Sequence, residues 1–174
     1  MIAIQTARQV MKVSLINIES TSRRVLENLF HYYVYDMSEF MGWAPNDQGQ
    51  FPFRLSQFDV YWQREDHFPY FIYVEGELAG FALVRKYPAN RSVYDIEQFF
   101  VLRKFTGQGV GKQVLELILK SYPGKWQIRV LKENTGALHF WKSAVSRIVG
   151  SDYRLFEDID VDLTMHFIRF QVST

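Results

Sequence analysis

The period of the apolar positions changes several times along the chain, and each change predicts an element. Lys12 to Ile18 alternates and reads as a strand. After the capping residues Glu19-Ser20-Thr21-Ser22, the positions Leu26, Leu29, Phe30, Tyr33, Val34, Met37, Phe40 and Met41 fall mostly at helical spacing, so a long helix runs to about Met41. Gly42 to Gln57, broken by glycine and proline among polar residues, is a loop, and Phe58 to Arg64 suits a short helix. Tyr70–Val74 and Leu78–Val84 are strands joined across Glu75-Gly76-Glu77, a hairpin signal, and Tyr94–Val101 is the next strand. A helix with Val114, Leu117 and Ile118 on one face begins near Val110 and reaches about Ser121, where Pro123-Gly124 closes it. Trp126–Leu131 is a strand, Asn134–Ser146 a helix, and strand-like segments at Tyr153–Phe156 and Asp162–Phe170 finish the chain. Pattern alone gives a mixed α/β domain over residues 10–174, with Met1 to Gln9 as a loose leader.

The densest chemistry lies where the strand ending at Val101 runs into the helix at Val110. An apolar stretch, Phe99-Phe100-Val101-Leu102, stops at Arg103-Lys104, and Gly107, Gly109 and Gly111 follow at alternate positions. Glycines leave backbone N–H groups unshielded, and a helix N-terminus adds unpaired donors and the positive end of its dipole. Together they make an anion cradle, most often for phosphate, ringed by Arg103, Lys104 and Lys112; a plain glycine-rich turn is the alternative. It is not a P-loop, because Gln113 follows Gly111-Lys112 where Ser or Thr is required. The glycine spacing, and the lack of an N-terminal βαβ unit to carry it, argue against a dinucleotide fingerprint.

The run Thr106-Gly107-Gln108-Gly109-Val110-Gly111 resembles the coenzyme A pyrophosphate loop of the GCN5-related N-acetyltransferases, the GNAT family. Gly109 and Gly111 match its motif, and Thr106 stands where that family usually has Arg or Gln. The resemblance extends from roughly Phe71 to Trp141. It implies a single-domain α/β fold of the α+β type, with a mixed, mostly antiparallel sheet and helices on both faces. It also implies that the strands around Val101 and Trp126 diverge, with the pantetheine arm of the cofactor bound like an extra strand to Phe99, Phe100 and Val101. Arg103, Thr106, Gly107, Gln108, Gly109, Val110, Gly111 and Lys112 would then hold the pyrophosphate.

A second segment, Asn134-Thr-Gly-Ala-Leu-His-Phe-Trp141, stands where the family has Asn-x-x-Ala-x-x-Phe-Tyr. Asn134, Ala137 and Phe140 match, so the resemblance places Asn134, Phe140 and Trp141 at the cofactor; Asn134 also suits a helix N-cap. Trp141 replaces the Tyr that often protonates the departing thiolate, and an indole N–H is no useful acid near neutral pH. The third constellation is Asp95-Ile96-Glu97-Gln98. Strict alternation puts Asp95, Glu97 and Phe99 on one face. A carboxylate in an apolar cleft can take the proton of an acceptor ammonium, and the family often places a Glu on this strand. Glu97 is the first candidate base and Asp95 the second, unless either pairs with an Arg or Lys. Tyr32, Tyr33, Asp36, Glu39, Trp43 and Trp62 offer aromatic walls and acids for a cationic amine, though aromatics at helical spacing are more often core. His31, His67, His139 and His166 suit ordinary structural roles.

Composition narrows the classes. With 48% hydrophobic and 17% aromatic residues over 174 positions, the chain has enough apolar material for a core. It has no cysteine, which removes disulfides, thiolate metal sites and a cysteine nucleophile. No metal is expected, and neither is a membrane span, since no run of about 18 apolar residues is present. The formal net charge of +1 argues against nucleic acid as a partner. The expectation is a cytoplasmic acetyltransferase, monomeric or homodimeric, that moves the acetyl group of acetyl-CoA directly to a primary amine. The backbone N–H of Val101 would polarise the thioester carbonyl. A domain that binds acyl-CoA without turnover is the rival.

Overall fold

The computed structural model describes residues 11–51 and 53–173; the leader expected over Met1 to Gln9 lies outside them. The elements are β1 (Val13–Asn17), α1 (Arg23–Met41), α2 (Val60–Gln63), β2 (His67–Val74), β3 (Glu77–Tyr87), β4 (Asn90–Val101), α3 (Val110–Ser121), β5 (Gly124–Leu131), α4 (Thr135–Val149), β6 (Tyr153–Asp160) and β7 (Leu163–Val172). They form one mixed α/β domain around a seven-stranded sheet of order β1-β2-β3-β4-β5-β7-β6. Only β4 and β5 run parallel; the other neighbours are antiparallel.

Every element predicted from the pattern forms, and most strands run longer than predicted. The capping stretch before α1 behaves differently: Ser20–Ser22 form a turn of 3-10 helix, and Ser22 makes no side-chain cap. Asn134 does cap α4, its Oδ1 accepting from Ala137 N–H at 3.0 Å.

The apolar stripes decide which face each helix covers. Leu26, Leu29, Phe30 and Val34 of α1 pack with Phe58 and Tyr61 against Phe71, Phe81, Leu83 and Phe100. Val110, Val114, Leu115 and Ile118 of α3 and Trp141, Ala144 and Val145 of α4 pack on the other face with Ile72, Val84, Ile96, Trp126 and Ile128. Each such fully buried large side chain contributes about 1.5–3 kcal/mol.

Two irregularities in β4 position everything that follows. Leu83 lies opposite Gln98 but Val84 opposite Ile96, so Glu97 is an extra residue in β4, a β-bulge. A bulge shifts the phase of the side chains. Ile96, Phe99 and Val101 therefore all face α3 and α4, while Glu97 stays with Asp95 on the opposite face, where both meet Arg85. The alternation expected from sequence, with Phe99 beside Asp95 and Glu97, fails for this reason. The second irregularity is that β4 pairs with β5 only from Val93 to Ile96, opposite Lys125 to Ile128. Beyond that point the strands part, which leaves the β5-facing edge of β4 from Glu97 to Val101 without a partner strand.

Candidate functional site

Strand geometry sets which backbone groups face this opening. Leu102 N–H donates to Ala79 carbonyl at 2.8 Å on the β3 side. N–H and C=O groups point to alternate edges along a strand. Phe100 is therefore paired with Phe81 of β3, while the N–H and C=O of Phe99 and Val101 point into the opening. Phe100, expected to hold the cofactor, faces away from the opening: its backbone pairs with β3 and its side chain packs in the α1-side core.

Two cavities flank that exposed edge and share Phe99, Ala137 and Trp141. The smaller, about 560 Å3, runs from Phe99 and Val101 past Thr106, Gly107, Gly109, Val110, Gly111 and Lys112 to Phe140 and Arg147. Gly107 and Gly109 have φ of +72° and +82°, and a Cβ on either would meet nothing within 4 Å. The left-handed backbone needs glycine, and the space above it is open for an anion. Gly111 has a different task. A Cβ there would lie 2.7 Å from Phe140 Cζ, so this glycine lets α4 close on α3.

The cations predicted around the cradle separate. Arg103 pairs with Asp36 of α1 at 2.9 Å and Lys104 with Glu77, both away from the loop. Gln108 turns its amide onto the Lys104 carbonyl at 2.6 Å, and Thr106 donates its hydroxyl to the Arg103 carbonyl at 2.9 Å. The side chains of Arg103 and Gln108 thus do not line the glycine-loop cavity. Lys112 stays, bonded to Ser143 at 3.0 Å, and Arg147 joins from the last turn of α4, 3.5 Å from Glu116. Nothing in the sequence pointed to Arg147, which lies beyond the Asn134–Trp141 segment.

The larger cavity, about 770 Å3, opens on the other side of β4. Arg85, Glu97, Arg129 and Asp160 line it, joined beneath by the buried Tyr61 and Asp95 into one hydrogen-bonded chain. Tyr61 of α2 donates to Glu97, Glu97 pairs with Arg85, and Arg85 donates to Asp95 at 3.1 Å. Arg129 of β5 grips Asp95 through Nε at 3.0 Å and Nη2 at 2.8 Å, and pairs with Asp160 at the end of β6. Asp160 also accepts from the Tyr87 hydroxyl at 3.2 Å.

Asp95 is fully buried, and its carboxylate is held by two guanidinium groups. It is the hub of the ionic chain and has no free face for a substrate proton, which corrects its place as second candidate base. Glu97 lines the cavity, but it sits among partners rather than in the apolar setting expected. Burial opposes the charge on Arg129, yet Asp95 and Asp160 outweigh it and hold the guanidinium above its usual range. Burial, and next the Glu97 charge, push the Tyr61 hydroxyl up. The same two causes act on Tyr33. Both phenols stay neutral at ordinary pH.

Of the six acceptor-side candidates from sequence, Tyr33 and Trp43 line the cavity. Tyr32 is exposed, Asp36 is tied to Arg103, and Trp62 donates its indole N–H to Ile18 carbonyl at 2.8 Å. Arg85, Arg129, Asp160 and Tyr61 were missed. Asn134 lines this cavity rather than the glycine-loop one. Among the described residues, no group of three or more His, Asp or Glu side chains is placed to hold a metal, and no helix is long and apolar enough to cross a membrane.

The sequence model of the Acetyltransferase (GNAT) family matches residues 31–144, from the middle of α1 to within α4. The chain belongs to this family. The matched segment includes the bulged β4, the glycine loop and the Asn134–Trp141 segment. No curated protein matches the chain. Among solved structures, an acetyltransferase from Thermus thermophilus superposes with a TM-score of 0.70 at 15% identity, covering 94% of this chain and 99% of that one. The aminoglycoside acetyltransferase AAC(6')-Ib, solved with coenzyme A, gives 0.66 at 17% identity over 92% and 95%. The spermidine N-acetyltransferase of Vibrio cholerae, solved with CoA and spermine, gives 0.65 at 11% identity over 92% and 95%. These likenesses show the GNAT fold. As a member of an acetyltransferase family the chain has acetyl-CoA as its cosubstrate, and the parted β4–β5 edge and open glycine loop fit such a molecule.

Proposed function

We propose that this GNAT protein transfers the acetyl group of acetyl-CoA directly to an amine held in the larger cavity. One observation carries the reading. The unpaired edge of β4 lies between an open glycine loop and a cavity lined by Glu97, Asp160, Arg85 and Arg129, and the two spaces meet at Phe99, Ala137 and Trp141.

The pantetheine amides would pair with the free backbone groups of Phe99 and Val101, completing the sheet. The pyrophosphate would sit on the N–H groups of residues 107–111 at the N-terminus of α3, with Lys112 and Arg147 adding charge. The Val101 N–H would meet the thioester oxygen as negative charge develops there. The amine attacks as its free base, with Glu97 taking the ammonium proton directly or through one water. The nitrogen of the tetrahedral adduct gives up its second proton to water; collapse then breaks the C–S bond and releases the thiolate, which takes its proton from solvent, since Trp141 supplies no acid. Arg85 and Tyr61 fix the Glu97 carboxylate in place. No covalent enzyme intermediate is required.

Release of CoA thiol that depends on added amine tests the reaction; tight CoA binding with no amine-dependent release would favour the non-catalytic rival. The cradle is tested separately. Gly109→Ala puts a Cβ into the open space above the loop. It should weaken CoA binding at least about tenfold, near 1.4 kcal/mol, by calorimetry. Gly42→Ala carries a similar left-handed strain, at φ +65° and ψ +22°, outside both cavity linings and should leave the affinity unchanged. Equal affinities for the two variants would remove the cradle.

Arg147→Ala should weaken CoA binding several-fold at low salt and much less at high salt, because a phosphate contact at an exposed guanidinium is screened. An effect independent of salt would show that Arg147 does not meet a phosphate.

A further inference from the structure

The floor and the rim of the larger cavity differ in character, and together they describe an acceptor. Arg85, Arg129, Glu97 and Asp160 line the floor, and Asp95, fully buried beneath them, is a third carboxylate to the two guanidinium groups, which leaves one negative charge in excess. Arg129 is engaged through Nε, Nη1 and Nη2, and Arg85 through Nε and Nη1. An acceptor bearing its own carboxylate would thus find both guanidinium groups already held by Asp and Glu, while a single ammonium is favoured by the surplus charge.

The rim is apolar on both sides. Met37, Met41 and Trp43 come from α1 and the loop after it, and Ile159, Val161 and Leu163 from the tip of the β6–β7 hairpin. Val161 sits at φ +58° and is 93% exposed. A β-branched residue pays steric strain of about 1 kcal/mol or more in that region, where Asn or Gly is the usual choice. Ile159 is 67% exposed beside it. Apolar side chains held out at a strained turn over a cavity gain when an apolar group covers them.

We propose, building on the acetyl-transfer reading, that the acceptor is a small monocationic amine carried on an apolar arm. The ammonium sits over Glu97 and the arm leaves the cavity between the two apolar rims. A peptide fits less well, because its backbone amides need partners and the two rims offer only the Trp43 indole, the other uncharged polar side chains of the cavity being Tyr33, Tyr87, Gln98 and Asn134. A polycation without an apolar arm would leave the rims uncovered and bring more positive charge than the floor offsets.

The test compares 2-phenylethylamine with phenylalanine, which adds only a carboxylate, and with spermidine and kanamycin, which add charge without an apolar arm. CoA-thiol release should give 2-phenylethylamine a kcat/KM at least tenfold above each of the others. Val161→Asn relieves the backbone strain but removes the apolar cover, so it should keep the fold while raising KM for 2-phenylethylamine about fivefold or more. CoA affinity should not move. Turnover of phenylalanine, spermidine or kanamycin at a kcat/KM equal to or above that of 2-phenylethylamine overturns the proposal, and so does an unchanged KM in the Asn variant. If no amine releases thiol, calorimetry of 2-phenylethylamine with the CoA-loaded protein decides. Binding there supports the acceptor class and counts against the catalytic reading; no binding overturns the acceptor class itself.

Discussion

The Glu97→Gln variant is expected to lose about 10²-fold or more in kcat, the usual scale for removing a general base. Its affinity for CoA should stay nearly the same, because Glu97 lines the larger cavity and not the glycine-loop one. Gln preserves shape: its Oε1 can still accept from Arg85, and its Nε2 can donate to the Tyr61 oxygen once that hydroxyl turns, so the loss reports mainly on basicity. The deficit has a signed pH dependence. Below the amine's own pKa the acceptor is an ammonium ion and needs a proton acceptor; as pH rises toward that pKa, near 10.4 for an alkylamine of the lysine type, solvent supplies the free base. The gap between variant and parent should therefore close with rising pH. A pH–rate profile with the best amine checks this. If the acidic limb and kcat of the Gln variant match the parent's, proton removal passes to water and Glu97 only shapes the cavity.

The largest effect on stability is expected from Asp95→Asn. Asp95 is fully buried and holds both Arg85 and Arg129. Removing one charge from a buried ionic group strands the others, at a cost of about 3–5 kcal/mol. For a domain of this size that corresponds to a fall in Tm on the order of 10 °C, read by thermal unfolding or by the urea midpoint. A second consequence separates this role from catalysis. Arg129 links Asp95 to Asp160 at the base of the β6–β7 hairpin, so the variant that remains folded should show a raised KM for the acceptor with CoA affinity little changed. A loss under about 1 kcal/mol would mean that the ionic chain is not a structural unit.

The two variants bear on different links between sequence and site. Element order and helix faces were legible because they depend on local period. Leu26, Leu29, Phe30 and Val34 recur at helical spacing, and α1 buries those four. The glycine loop was legible as well, since backbone that must turn left-handed without a Cβ shows itself as glycine at positions 107 and 109. So was the Asn134 cap, whose bond to Ala137 is local.

Contacts across strands were not legible. Strict alternation misplaced Phe99 because one extra residue at Glu97 shifts the phase, and no single side chain announces a bulge. The partners of Asp95 lie 10 and 34 residues away, on β3 and β5; only the register of three strands brings them together. Arg103 and Gln108 carried the right chemistry at the right spacing, yet Asp36 on α1 and the Lys104 carbonyl captured them. Arg147 entered the site because α4 closes on α3 over Gly111, a contact between Phe140 and a residue 29 positions earlier. Composition, period and backbone freedom are properties of neighbouring residues, so they can be read along the chain. The pairing of charges and the apolar mouth of the larger cavity depend on distances between elements, and those exist only once the sheet has set its register and the helices have closed upon it.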